Sequence, residues 1–279
     1  CPRTDCKCKT RARWARTSRP WCSDFDDTFR ALHHFACCSA RRGSTLGPAM
    51  TTYTICDTEL TAPFDRPRFT GRAIVLAPYA SGVEWDAHFA QTQGFGDPRG
   101  SRGDELRFGR EDGRLKSLNL LVPEVPLAVF PENLAVESAE QCTLRGIARG
   151  RWNLCLSAER GLLCMADAPS VTSVQVAEHL CLFVDSRHDL CGWQLEQPEA
   201  ALSTGYAPCP ARVVDRALAA KLASYFALTH DADFVDRLIN ADDDALARVR
   251  ALALDVARLG EQTSQQRALR AWVDELLTL

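Results

Sequence analysis

The hydrophobic rhythm of the chain changes near residue 210. Upstream, apolar residues alternate or cluster in short runs; downstream, they recur every three to four positions. The alternating, β-branched stretch TTYTIC (51–56) predicts an opening strand, and RAIVLAP (72–78) a second. SGVEWDAHFAQTQG (81–94) carries a helix signature: Ser81 and Glu84 fit a capping box, and Val83, Trp85, His88 and Phe89 fall near one face. Gly94 stands where a left-handed helix terminator belongs. ELRFGREDGRLKSLNLLVPE (105–124) predicts a hairpin turning at EDG, with Leu106 and Phe108 alternating outward and Leu118 and Leu120 on the return. The prolines of VPEVPLAVFPENL (122–134) predict a connection or an edge strand. RWNLCLSAERGLLCMAD (151–167) predicts a hairpin folding at AERG, and VTSVQVAEHLCLFVDSRHDLCGWQLE (171–196) one folding at SRHD. In the latter, Val174, Val176, Leu180, Leu182 and Val184 share one face, which puts His179 and Cys181 on the other.

Beyond QPEAALSTGYAPCP (197–210) the pattern is helical. Val214, Leu218, Leu222, Tyr225 and Phe226 trace one helix face. Leu246, Val249, Leu252, Val256 and Leu259 trace a second, ended by Gly260, and Thr263 and Gln266 can cap a third that buries Leu269, Trp272, Val273 and Leu276. Strands first and helices last define an α+β protein: a mostly antiparallel sheet of hairpins, one early helix, and three to four C-terminal helices packed on the sheet. The sheet at 105–196 is the expected cover for the helical stripes.

Charge divides the chain elsewhere. Residues 1–49 hold ten Lys/Arg against four Asp, a net +6, which leaves −9 of the total −3 on residues 50–279. The first Met is Met50, so residues 1–49 are expected to be upstream translation, followed by a β-rich α+β domain (50–209) and a helical segment packed on it (210–279). The alternative for the basic arm is a zinc site drawn from Cys1, Cys6, Cys8, Cys22, His33, His34, Cys37 and Cys38, although these lack the paired spacing of zinc knuckles. Arg outnumbers Lys 29 to 4, which suggests a GC-rich bacterial genome. Cys56, Cys142, Cys155, Cys164, Cys181, Cys191 and Cys209 lie mostly in apolar runs, as reduced thiols of a cytoplasmic protein do. No apolar stretch approaches the ~20 residues that cross a bilayer, so no membrane contact is expected. The acidic body argues against nucleic acid as a direct ligand and for a basic protein partner.

Candidate chemistry concentrates in EHLCLFVDSRHDLC (178–191), where His179, Cys181, His188 and Cys191 could staple a hairpin through a metal, or Cys191 with His188 or His179 could form a thiol–imidazole nucleophile. The simpler reading makes both cysteines small core residues and His188 a turn residue, with no metal and no cofactor. GFGDPRG (94–100) lacks the strand-before, helix-after setting of a phosphate loop, but the loop bears Arg99 and Arg102, which could touch a partner. DADFVDRLINADDD (231–244) lacks the Gly and Glu of a calcium loop; Asp242, Asp243 and Asp244 suit a helix start instead. His88, beside Trp85 and Phe89, reads as a boundary histidine. Residues 50–279 contain no G-x-S-x-G, H-E-x-x-H, G-K-[ST] or C-x-x-C, and their only lysines are Lys116 and Lys221. The sequence therefore leads to a non-enzymatic acidic binding module, an inhibitor or immunity-type protein against a basic partner such as a nuclease toxin. The alternative is an enzyme using the 178–191 cluster.

Overall fold

The computed structural model describes residues 53–58, 60, 64–95, 104–132, 134–168, 170–205, 207–208 and 214–279. The start at Met50, the basic arm with its zinc alternative, Arg99, Arg102 and Cys209 lie outside the described residues. In chain order the strands are β1 (Tyr53–Cys56), β2 (Arg68–Phe69), β3 (Ala73–Leu76), β4 (Thr92–Phe95), β5 (Glu105–Gly109), β6 (Leu115–Leu121), β7 (Ala135–Ala139), β8 (Gln141–Leu144), β9 (Gly146–Ile147), β10 (Trp152–Ser157), β11 (Gly161–Ala166), β12 (Ser170–Ala177), β13 (Leu180–Val184) and β14 (Asp189–Leu195). Helix α1 (Gly82–Gln91) joins β3 to β4. After a 3-10 turn at Pro198–Ala201 come α2 (Arg216–Thr229), α3 (Ala232–Ile239), α4 (Asp243–Arg258) and α5 (Ser264–Leu276). The chain is α+β, with multiple mainly antiparallel sheets, one early helix and a C-terminal helical group. No described helix is long and apolar enough to cross a membrane.

A five-stranded sheet runs in the order β2-β3-β6-β5-β4 and a seven-stranded one in the order β10-β11-β14-β13-β12-β7, with β9 beside β14; β1 and β8 pair separately. In the five-stranded sheet, opposed residues share a face, so Phe69, Ile74, Leu106, Phe108, Leu118 and Leu120 point together into the main core. That core continues through Leu154, Cys164, Leu182 and Trp193 of the larger sheet into Leu218, Phe226, Val249 and Leu269 of the helices. The hairpins at 105–121 and 152–166 turn where the sequence places them.

Three expectations change. The 171–196 stretch is a three-stranded meander, because Glu178–His179 forms a tight turn between β12 and β13, and His179 takes a φ of 65°. Gly94 does not stop the early helix: Thr92 caps α1, and the chain passes straight into β4 with Gly94 inside the strand. The α5 stripe joins the main core, but the ring partners of its Trp272 lie outside 105–196. Trp272, 2% exposed, packs against Phe69 of β2 and Tyr225 of α2. The helix signals of α4 and α5 hold, whereas at α1 Ser81 accepts from the Glu84 amide but the Glu84 carboxylate accepts from Ala80 N, so the box there does not close. Thr263 and Gln266 form a reciprocal capping box, Asp242 caps α4, and Gly260 adopts a φ of 85° just past its end. Asp231 caps α3 in the same way as Asp242 caps α4, so two of the six aspartates of 231–244 serve helix N-termini by side-chain hydrogen bonds.

Candidate functional site

Strand β13 separates the two histidines of the 178–191 cluster. His179 sits in the turn before this strand and His188, with a φ of 66°, in the turn after it. Five extended residues separate the two turns, a span of about 17 Å at the usual strand rise. Each ring nitrogen of His179 lies 3.1 Å from a carboxylate oxygen, one of Glu178 and one of Glu196. The Asp185 carboxylate accepts from the amides of Arg187 and Asp189, which fixes the turn that carries His188. Cys181 is half-buried opposite Gln175 and Gln194. Cys191 is closed to solvent, and its thiol lies 3.4 Å from the carbonyl oxygen of Phe183. Burial, reinforced by the Asp185 charge, pushes the Cys191 thiol up to about 12, so the thiolate that nucleophilic or ligand chemistry requires is suppressed. Burial raises Cys181 and Cys155 as well. Among the described residues, no group of three or more His, Cys, Asp or Glu side chains is placed to hold a metal ion.

A second polar constellation lies under α1, on the face of the five-stranded sheet that turns away from the main core. The strand phase that sends Leu106, Leu118 and Leu120 inward sends Arg107, Ser117 and Asn119 to this face. Helix α1 has no buried residue, so apolar contact alone does not hold it down. Trp85 packs against the small cluster of Ala73, Val75, Ala77 and Tyr79. Arg107, 4% exposed, donates to Thr92 Oγ1 at 2.7 Å and to the carbonyls of Phe89 and Thr92 at 2.9 and 3.3 Å. These carbonyls are the acceptors that a helix leaves unpaired at its C-terminus. Arg107 also pairs with Glu105 at 2.6 Å, and its guanidinium lies 3.6 Å from the centre of the Phe89 ring.

His88 Nε2 lies 2.8 Å from Ser117 Oγ. Burial, with the Arg107 charge added, lowers His88 to about 4, so its ring is neutral at physiological pH. A neutral imidazole on a hydroxyl is the pairing of a general base and its nucleophile. Ser117, however, is 2% exposed beneath the helix. The pair ties α1 to β6.

This tie predicts a pH dependence. The folded state holds His88 below its ordinary 6.5, so the unfolded chain takes up the proton first. The stability contributed by neutral His88 is complete above about pH 6.5 and is lost as pH falls toward 4. Glu275 has the opposite sign: burial raises it to about 7, so its contribution is present below 4.5 and lost as pH rises through 7. The two overlap, so single variants separate them. Melting curves of His88→Gln from pH 7 to 4 should fall less steeply than those of the wild-type chain; an unchanged slope would contradict the assignment.

The outermost strand of the larger sheet is the most open of its elements. β7 runs parallel to β12, with Val136 opposite Val171 and Glu137 opposite Thr172. Ala135, Val136, Glu137 and Ser138 are exposed, so neither face of the strand is covered. Among the described residues, no strand pairs with its outer edge. Glu137 stands at its centre and Glu132 and Glu140 flank it; all three are exposed, and none forms an ion pair among the described residues. The sequence signal was thin: AVESA is short, and the proline-rich connection before it drew the edge-strand expectation instead. Fold and surface together define an α+β protein that buries Cys56, Cys155, Cys164 and Cys191 and presents an acidic strand edge. Comparison of the chain with protein-family models, with curated proteins and with solved structures gives no match.

Proposed function

We propose that this chain is a non-catalytic acidic protein-binding module, an inhibitor or immunity-type protein that neutralises a basic partner in the cytoplasm of a bacterial cell. The observation that carries the reading is the open β7 edge with Glu132, Glu137 and Glu140, in a body of net charge −9. Acidic surface of this kind speeds encounter with a basic target and sets register on it. The placement of the thiols supports the same reading: Cys56, Cys155 and Cys191 are buried free thiols. Buried free thiols suit a reducing compartment and offer little to a substrate.

The test is retention of the protein on immobilised peptides of equal length and graded charge. Retention should rise with positive charge on the peptide and fall with added salt. Equal retention on neutral and basic peptides would contradict the reading.

A further inference from the structure

We infer that the partner docks by adding an extended, basic segment as a new strand on the outer edge of β7. The inference rests on the proposed binding function and assigns its site and its recognition chemistry. An outer strand presents unpaired backbone donors and acceptors, which template another strand unless something guards them. Among the described residues no helix covers this outermost strand, and the prolines of the region precede it, at Pro123, Pro126 and Pro131. Its guard is charge. Glu137 at the centre of the strand opposes pairing with a second copy, because like charges opposite one another repel. The same carboxylate favours an incoming strand that carries Arg or Lys at that position, so one side chain both repels the wrong partner and selects the right one.

Strand geometry sets the pattern of the ligand. Ala135, Glu137 and Ala139 lie on one face of β7 and Val136 and Ser138 on the other. Val136 is 47% exposed, an apolar contact available to the incoming strand on the face opposite Glu137. The matching segment therefore alternates basic residues on the Glu137 face with apolar residues on the Val136 face, and Glu132 and Glu140 extend the acidic field beyond both strand ends. Main-chain hydrogen bonds supply affinity in such docking, and the alternating side chains supply selection.

The experiment uses the full chain and a short peptide alternating Arg and Val, beside the same peptide N-methylated at every residue. The second peptide keeps the charge and loses the backbone donors. The unmethylated peptide should bind about tenfold or more tightly than the methylated one. It should also slow hydrogen exchange in 135–139, and Glu137→Lys should remove the binding while leaving the melting temperature in place. Equal binding of both peptides, or protection confined to another surface, would overturn strand addition and leave the basic-partner reading standing. Failure of both peptides to bind at low salt would overturn both. Protection of 135–139 that grows with protein concentration in the absence of peptide would assign the edge to a second copy instead.

Discussion

Trp272→Ala should destabilise the protein by about 3–5 kcal/mol, the usual cost of deleting a core aromatic. Trp272 is 2% exposed and fills the space between Phe69, 5.5 Å away centre to centre, and Tyr225 at 5.9 Å. Beneath it Gly71, at a φ of 84°, brings its backbone so close that a Cβ there would sit 3.2 Å from the indole. The backbone holds that left-handed conformation for the ring, and deleting the ring leaves a cavity that Gly71 cannot fill. The loss is a large share of the ~5–15 kcal/mol by which domains are stable, so the melting temperature should fall on the order of 10 °C. A fall of only a degree or two would mean that α5 is not seated on β2 as described.

Arg107→Ala should be the second large loss, about 2–4 kcal/mol, because one guanidinium closes the end of α1 and carries an ion pair. Its removal takes a donor from the carbonyls of Phe89 and Thr92 and from the Thr92 hydroxyl, which keeps its bond to the His88 carbonyl, while Glu105, partly exposed, can turn to water. Lysine is no substitute, since a point charge cannot serve acceptors spread in a plane. Hydrogen exchange locates the effect: amides of 82–91 should exchange faster in Arg107→Ala while those of α5 stay protected. Uniform loss of protection across the chain would show that Arg107 supports the whole core and not the helix it caps.

What the sequence made legible was whatever is settled locally. The 105–121 hairpin follows from alternation around EDG, and the ends of α4 and α5 follow from Asp242, Gly260, Thr263 and Gln266, each acting within one turn of chain. What escaped depends on distant partners or breaks a local rule. β7 has no buried face and so no periodic pattern; it is a strand because β12 lies alongside it. The Glu178–His179 turn has neither Gly nor Asn, and its positive φ falls on a histidine, so the continuous apolar alternation hid it. The polar face under α1 was half legible. Placing Leu106, Leu118 and Leu120 inward already places Arg107, Ser117 and Asn119 outward, but only the fold lays α1 across them. The cover for Trp272 comes from Phe69, on a two-residue strand too short to register as a pattern.

The central claim is that an acidic strand edge, and not the His/Cys hairpin, is what this protein presents to its partner. Charge transplantation tests it directly. One variant carries Glu132→Lys, Glu137→Lys and Glu140→Lys; a control carries Asp86→Lys, Glu111→Lys and Glu159→Lys, three equally exposed acids away from β7. Each set adds six charges, so both take residues 50–279 from −9 to −3. Titrating both with the Arg/Val peptide at fixed salt should show binding abolished in the first and largely kept in the control. Equal loss in the two would reduce the interaction to net charge, with no site on β7.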